Sequence, residues 1–412
     1  MTLCFLASDT CGGLIFILNL PTTLVPAKQT ISHKLHSSIG LLFGSAFVIL
    51  GLTGALIVWI NELDRMLNPD LLQVRPPPGM MVGAPLAVDS AQVQKLTEIL
   101  SAESRYGRPS RLIFPEHAGD VVVAWYPPKA GMSDSMLTLD VVRQIMIDPA
   151  TLSITGERNW GELGVSRRLL MPTLFHLHRY LIAGKIGKTI VGISGLVLLI
   201  TAISGLILWW PKWNRKALRQ ALSISFGGSW ARLNFRLHRT AGFFAAPVLM
   251  ALGFSGSYFN FPEVIVPIVS TVSKVNASNK LNNQSVAVVT LISPKQAIQI
   301  AQALYPLARV SRLSLPANSA DPYEVRLRQP SEVRQGDGAT RIIIDAGDGR
   351  VLRIRDPLRA SAGDIFLDWQ FPLHNGEAFG IAGRIFVSCF GVLPLLFFVT
   401  GLTMWRRRLF RH

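Results

Sequence analysis

Four long stretches without a charged side chain constrain the fold of this chain more than any other feature. They are residues 39–60, 189–210, 241–261 and 385–405. At about 1.5 Å per residue, a helix of this length reaches about 30 Å, the thickness of a bilayer core. Aromatic residues stand at or near the ends, as is typical of membrane interfaces: Trp59, Trp209, Trp210, Tyr258 and Trp405. The sequence therefore predicts four transmembrane helices.

The composition also favours a membrane protein over a soluble enzyme. The 412 residues are 49% hydrophobic and only 16% charged, with a net charge of +16. The positive charge lies beside the predicted spans, where membrane topology explains it, so we expect no nucleic-acid partner. Three isolated cysteines (Cys4, Cys11 and Cys389) form no CxxC motif, and neither a disulfide framework nor a thiolate metal site is expected.

The connections between the predicted helices indicate an orientation. Residues 211–239 carry seven basic side chains and no acidic one, and the tail after residue 405 is also basic. This bias predicts that both termini and the 211–239 loop are cytoplasmic, with residues 62–177 and 262–373 outside. Arg179, Lys185 and Lys188 lie on the outer side, against the bias. The apolar patch at 14–20 is too short to span, and we assign residues 1–32 no function.

The chain is a tandem repeat. Leu-His pairs introduce all four apolar runs, in "KLHSSIG", "HLHRYLI", "RLHRTAG" and "PLHNGEA", and they use half of the 8 histidines. Counted from these histidines, small residues recur at fixed offsets, among them four Thr/Ser-Gly pairs at 53–54, 204–205, 255–256 and 400–401. Such self-similarity predicts two copies of one unit.

The two outer segments repeat as well. Each begins with an amphipathic helix, "SAQVQKLTEIL" or "SPKQAIQIAQAL", and continues with strand-like runs such as "SRLIFP" and "SRLSLP". They end in "IDPAT" and "IDAGD". Each is long enough for a small α+β domain of its own. The predicted order is therefore helix, outer domain, helix, twice over.

This order resembles the PepSY-associated transmembrane family, which includes inner-membrane haem proteins that act as ferric-siderophore reductases. The resemblance covers residues 33–406 and implies two extracytoplasmic PepSY-like α+β domains, haem binding and iron reduction on the outer side. The expected divisions are an extension at 1–32, helices at 33–61, 176–211, 236–262 and 372–406, outer domains at 62–175 and 263–371, a loop at 212–235 and a tail at 407–412.

Two histidine pairs are the candidate haem ligands. A histidine at a helix end is most often an interfacial residue or a cap, but here all four occupy repeat-equivalent positions. His36 and His238 head helices that begin at the cytoplasmic face, and His178 and His374 head helices that begin outside. Paired neutral imidazoles between apolar helices suit six-coordinate haem b, so two haems per chain are expected. Zinc competes less well because it usually takes three or four close ligands.

Other residues have two open interpretations. His33 and His176 are second-choice ligands, because their repeat equivalents, Phe235 and Pro372, cannot bind a metal. The Thr/Ser-Gly pairs either permit close helix packing or let a porphyrin approach the backbone.

The basic and aromatic residues of the outer face also have two interpretations each. Lys188 and Arg384, each ten residues after an outer histidine, either pair with haem propionates or snorkel to the interface. Phe175, Trp369 and Phe371 either line a substrate mouth or pack a domain on the membrane. We expect His117 and His412 on the solvated surface.

One distance limits electron transfer. A straight helix from His178 to Ser204 would measure about 39 Å, which would lift the outer histidines far above the inner pair. A break at Gly184/Gly187 and Gly380/Gly383 would fold them back; otherwise an intermediate carrier is needed.

The expected function is an inner-membrane oxidoreductase that passes electrons to an extracytoplasmic ferric siderophore and releases Fe(II). The donor would be a quinol or a cytoplasmic flavin carrier. The alternatives are a non-redox PepSY binding module on an inert membrane anchor, and a siderophore permease. No Walker A, HExxH or Ser/His/Asp arrangement indicates another chemistry, and the absence of a midplane charge disfavours transport.

Overall fold

The computed structural model describes residues 27–76, 79–84, 86–103, 107–127, 135–211, 214–276, 281–283 and 291–410. The apolar patch at 14–20, and with it most of the expected extension, lies outside these residues, as does His412.

Two runs of four consecutive strands separate three runs of helices. The helices are α1 Ala27–Ile57, α2 Ile60–Leu67, α3 Pro69–Leu72, α4 Ser90–Ala102, α5 Arg167–Tyr180, α6 Gly184–Trp209, α7 Arg215–Leu222, α8 Trp230–Asn260, α9 Pro262–Ser270, α10 Pro294–Leu304, α11 Ala362–Asn375 and α12 Gly380–Leu409. The strands are β1 Arg111–Ile113, β2 Val122–Trp125, β3 Val142–Ile147, β4 Ile154–Trp160, β5 Arg309–Ser314, β6 Tyr323–Arg328, β7 Thr340–Ile344 and β8 Val351–Arg355.

Among the residues that the structure describes, four helices are long and apolar enough to cross a membrane, which confirms the prediction of a membrane-spanning protein. The spans are Ser32–Ile57, Gly184–Trp209, Trp230–Asn260 and Glu377–Leu409. In the bundle, α1 packs on α12 and α6, and α8 packs on the same two helices.

Glycines let these helices approach closely. A Cβ on Gly391 would lie 2.8 Å from the carbonyl oxygen of Gly51 on α1, and one on Gly195 of α6 would lie 2.7 Å from that of Gly253 on α8. Backbone therefore meets backbone at both crossings, as small residues allow in membrane helices.

The eight strands form one antiparallel sheet in the order β4-β3-β2-β1-β5-β6-β7-β8. We expected a separate domain from each outer segment; instead each contributes four strands, and β1 pairs with β5 through Leu112 opposite Leu313. Pairing covers two strand edges that would otherwise be exposed. One face packs on α4 and α10 around a single core, which includes Leu96, Leu112, Ile145, Ala297, Leu313, Val325 and Ile342.

The opposite face of the sheet lies toward the bundle and carries arginines as well as a small apolar cluster of Met146 with Leu71 and Leu72. Arg158 on β4 forms a buried ion pair with Asp64 on α2, with Nη2 2.7 Å from Oδ2. Arg355 on β8 donates to Asp368 on α11 at 2.6 Å. Because α2 continues from α1 and α11 leads into α12, this face looks onto one end of the membrane helices.

The helices predicted at 176–211 and 372–406 are each broken near their start. The first turns after α5, where Leu181 and Ile182 have φ of 46° and 59°, and the second turns at Gly376 and Gly380, with φ of 80° and 61°. A side chain on Gly187 would overlap the carbonyl of Tyr180. The sequence leaves open a break or an intermediate carrier; the structure has the break, and it folds α5 and α11 back against the bundle.

Candidate functional site

The four repeat-related histidines meet as two pairs. The imidazole centroids of His36 on α1 and His238 on α8 lie 6.2 Å apart, with their planes at 89°. Those of His178 on α5 and His374 on α11 also lie 6.2 Å apart, with their planes at 64°. We call these the distal pair and the sheet-side pair. The pairing predicted from the repeat is the pairing found in space.

Each histidine is held by a hydroxyl from a different helix. The Nδ1 atoms lie at hydrogen-bond distance from Ser204 Oγ (His36, 3.0 Å), Thr400 Oγ1 (His238, 2.7 Å), Thr53 Oγ1 (His178, 3.2 Å) and Ser255 Oγ (His374, 2.7 Å). His178 Nδ1 also lies 2.9 Å from the Leu50 carbonyl oxygen. The hydroxyls are those of the four Thr/Ser-Gly pairs, and they fix each ring with Nδ1 engaged.

The glycine after each hydroxyl makes room for the same ring. A Cβ would lie near the Cε1 atom of that histidine: 2.9 Å for Gly54, 3.3 Å for Gly205, 3.7 Å for Gly401 and 3.9 Å for Gly256. The pairs therefore seat imidazoles, a role that neither sequence interpretation included. Glycine is most strictly required at Gly54.

The geometry suits two axial ligands of one metal ion. Metal–nitrogen bonds of about 2 Å on both sides of an ion place coaxial imidazole centroids about 6 Å apart. With Nδ1 engaged, Nε2 remains to bind the metal, and the partner on Nδ1 fixes tautomer and orientation. The described residues contain no cluster of three or more His, Cys, Asp or Glu that could hold a metal ion. A bis-imidazole haem site needs only two.

Open space adjoins the distal pair on the helix face that bears its ligands. Gly40 and Gly242 lie four residues after His36 and His238, so they share a face with them. A Cβ on Gly40 would meet no atom within 4 Å, and one on Gly242 only the Phe397 ring at 4.0 Å. A flat macrocycle could occupy this space, so the residues present fit haem.

The chain matches a protein-family model. The PepSY-associated TM region matches residues 33–408, which include all four paired histidines and the whole sheet. The chain belongs to this family. A comparison with curated proteins finds no match.

In this PepSY-associated protein, the two pairs lie at opposite ends of the bundle. Thr53, which holds the sheet-side His178, stands seventeen residues after the distal His36 on the same helix. The rise per residue separates the two levels by about 25 Å. This separation is much shorter than the length of about 39 Å that a straight helix from His178 to Ser204 would have, because α5 folds back.

The second-choice histidines lie apart from the two pairings. His33 Nδ1 lies 3.5 Å from Arg408 Nη1 of α12. His176 is buried among aromatic rings: Trp160 of β4 at 5.9 Å, and Tyr180 at 5.7 Å. His117 lies at the surface, 3.8 Å from Asp120. These positions support His36 and His178 as the better ligand candidates.

Arg384 already has an acidic partner. Its guanidinium donates to both carboxylate oxygens of Glu62 at 2.6 and 2.8 Å, and to the Val58 carbonyl at 2.6 Å. Burial raises the pKa of Glu62, but the hydrogen bond and charge of Arg384 outweigh it, so the pKa lies below its ordinary value. Arg384 thus ties the end of α1 to α12, and Lys188 is half-buried in α6. A propionate contact for either remains a prediction.

The aromatic residues ahead of the sheet-side pair divide into two groups. Phe175 packs on Trp160, with ring centroids 5.4 Å apart, and so joins α5 to the sheet. Trp369 and Phe371 remain 37% and 38% exposed. Arg334 lies 4.3 Å above the Phe371 ring, a cation–π contact that the sequence did not indicate.

Proposed function

We propose that this protein is a haem-containing inner-membrane reductase that delivers electrons to an extracytoplasmic ferric siderophore. The observation that carries the proposal is the pair of bis-histidine arrangements, one toward each end of the bundle, with matching hydroxyl supports. The basic 211–239 loop favours the distal end as cytoplasmic and the sheet as periplasmic.

The residues of the two pairs would hold haem b and keep it in one coordination state. Haem, when bound, supplies reversible one-electron transfer between Fe(III) and Fe(II). Ser204 and Thr400 keep Nδ1 engaged, so that Nε2 of each distal histidine remains a neutral ligand. Two protein ligands leave no open position for oxygen, which suits electron transfer rather than oxygen activation.

The substrate step is reduction of chelated Fe(III) by one electron. The electron enters at the distal end from a quinol or a cytoplasmic flavin carrier and leaves from the sheet-side end. Siderophores hold Fe(III) through hard oxygen donors, and Fe(II) is bound far more weakly, so reduction releases the iron. His178 and His374 belong to the sheet-side end because α5 and α11 connect directly to β4 and β8.

The test is haem quantitation with a reduced-minus-oxidised spectrum on the purified protein. We expect a red protein with two low-spin b-type haems per chain by the pyridine haemochrome assay. One haem per chain would mean that one histidine pair has another role. A colourless protein would end the reductase proposal in favour of a membrane anchor for a binding module, or a permease.

A further inference from the structure

Four arginines lie directly opposite one another across the second half of the sheet. Arg312 of β5 pairs with Arg326 of β6, Arg326 with Arg341 of β7, and Arg341 with Arg355 of β8. At about 4.8 Å between strands, they extend over about 14 Å. We call these four residues the arginine row. Like charges directly opposite one another destabilise a sheet, so the row needs a reason other than stability.

The matching positions in the first half of the sheet show that the fold does not require this row. The same register there aligns Arg111, Trp125, Gln144 and Arg158. Arg111 lies 4.9 Å from the Trp125 ring centroid, and Arg158 Nε donates to Gln144 Oε1 at 2.7 Å. Arg158 also pairs with Asp64 at 2.7 Å. The first half thus places two cations in its row, each with a partner.

The carboxylates near the arginine row do not neutralise it. Its ion pairs are Arg312 with Asp337, Arg326 with Asp337 and with Glu324 (both 3.7 Å), and Arg355 with Asp368 (2.6 Å). Three acids therefore face four arginines.

Arg341 is the member without a direct ion pair, although Glu324 and Asp368 lie near enough to act on its charge. It makes no salt bridge to any residue that the structure describes, and its buried Nε atom has no acceptor there; the same holds for Nε of Arg312 and Arg326. Burial, together with the charges of Arg341 and Arg312, lowers the pKa of Arg326 to about 9. The row therefore carries positive charge that the described carboxylates do not fully balance.

The row is close to the sheet-side histidine pair. Asp368, the partner of Arg355, stands six residues before His374 on α11. Arg334 makes a cation–π contact with Phe371. The ring centroid of Phe371 lies 6.1 Å from that of Phe259, which lies 5.3 Å from that of His374. A ligand on the row would therefore lie beside the aromatic contacts that lead to the sheet-side pair.

We infer that the arginine row binds the ferric chelate, and that this chelate is anionic, of the catecholate or hydroxycarboxylate kind. The inference rests on the proposed function, whose substrate it specifies. Phenolate and carboxylate oxygens accept charge-assisted hydrogen bonds from guanidinium groups, and catechol rings stack on them. A neutral hydroxamate chelate would leave the charge of the row unbalanced.

The experiment measures binding without redox chemistry. The full-length protein in detergent is titrated with the gallium(III) complex of a tricatecholate and, separately, with a neutral gallium(III) trihydroxamate. Gallium(III) has the charge of ferric iron but is not reduced. We expect tighter binding of the tricatecholate, weakened by salt because the attraction is electrostatic.

Variants assign that binding to the row. Arg341→Gln should weaken tricatecholate binding about tenfold, the effect of losing one charge-assisted contact, while haem content is retained. Arg326→Gln is the second variant and should act in the same direction. Arg350→Gln is the matched control, because it removes a charge from an exposed turn of the same sheet, where Arg350 pairs with Asp348; it should bind normally.

The outcomes separate the inference from the proposed function. Binding that Arg341→Gln and Arg326→Gln weaken, in a protein that does not reduce iron, would overturn the reductase but support the row as an anion site. Equal affinity for both gallium complexes, or unchanged binding in the two row variants, would overturn the inference even if reduction is observed. Loss of co-purified anionic phospholipid from the row variants, with unchanged gallium binding, would mark a lipid site and also overturn it.

Discussion

The two sequence repeats are alike in the helix bundle of this protein but differ in its sheet. At both ends of the bundle, the same three elements recur: a histidine, a hydroxyl on its Nδ1 and a glycine beside its ring. In the sheet, the matching rows diverge, with Trp125 and Gln144 in one half where Arg326 and Arg341 stand in the other. The bundle repeats its chemistry, and the sheet does not.

This difference separates two tasks. A path for electrons through a membrane needs a similar carrier at each end, which a repeated histidine pair can hold. Recognition of a substrate is needed at one place only, so the other half of the sheet is free to carry Trp125 and Gln144 at the matching positions. Under the proposed function, the chemistry common to both ends of the bundle would hold the cofactor, and the chemistry confined to one half of the sheet would bind the ligand.

The largest expected effect tests whether the two ends of the bundle are alike. His36→Ala and His238→Ala should each remove the same distal haem and leave the sheet-side haem bound, because each variant deletes one of two axial ligands. The measurement is the pyridine haemochrome assay with a reduced-minus-oxidised spectrum.

His33→Ala is the control for these variants, since His33 lies against Arg408. It should keep both haems. Loss of haem in His33→Ala but not in His36→Ala would show that the ligand is one helical turn away from the residue assigned here.

A smaller effect tests the glycine that makes room for one histidine ring. Gly54→Ala would place a Cβ 2.9 Å from Cε1 of His178, whereas Gly256→Ala would place one 3.9 Å from Cε1 of His374, an ordinary contact. Displacing His178 from the Thr53 hydroxyl should weaken the binding of the sheet-side haem about tenfold in Gly54→Ala. Haem transfer to apomyoglobin measures the loss rate. Equal loss rates in the two variants would contradict the seating role.

The smallest effect concerns the stability of the sheet. Arg341→Gln removes one like-charge neighbour on each side of the row and should stabilise the sheet by about 0.5 kcal/mol. The midpoint of thermal unfolding should rise by about 1–2 °C. Gln144→Arg in the first half should lower it. A fall with Arg341→Gln would show that the row stabilises the fold and that no ligand is needed to explain it.

Much of the bundle could be predicted because its signals are local. Uncharged runs of membrane length mark the spans, and the Leu-His starts mark the ligand candidates. The glycines after His178 and His374 made turns there possible, but the sequence left a break and an intermediate carrier open as alternatives. Each of these features lies within a few residues along the chain.

The features that the sequence did not indicate depend on distant residues. The hydroxyl of Ser204 reaches His36 from another helix, although both residues belong to the sequence repeat. The single sheet needs β1 to pair with β5, about two hundred residues apart, and no local pattern specifies this pairing.

The arginine row has a weak sequence signal, since its members recur at intervals of 14 or 15 residues. Their common face follows only from the register of the strands. Spacing alone does not show which residues lie opposite one another, because a one-residue slip moves a side chain to the other face.

Electron transfer through both pairs to a substrate on the sheet side is the central claim. It is tested by ferrous-iron release in vesicles of known orientation, with reductant at the distal face and a ferric siderophore plus an impermeant Fe(II) chelator at the sheet face. The wild-type protein should release Fe(II). His374→Ala should release none, although its distal haem is still bound and reduced. Full release by His374→Ala, with the sheet-side haem demonstrably absent, would contradict the account.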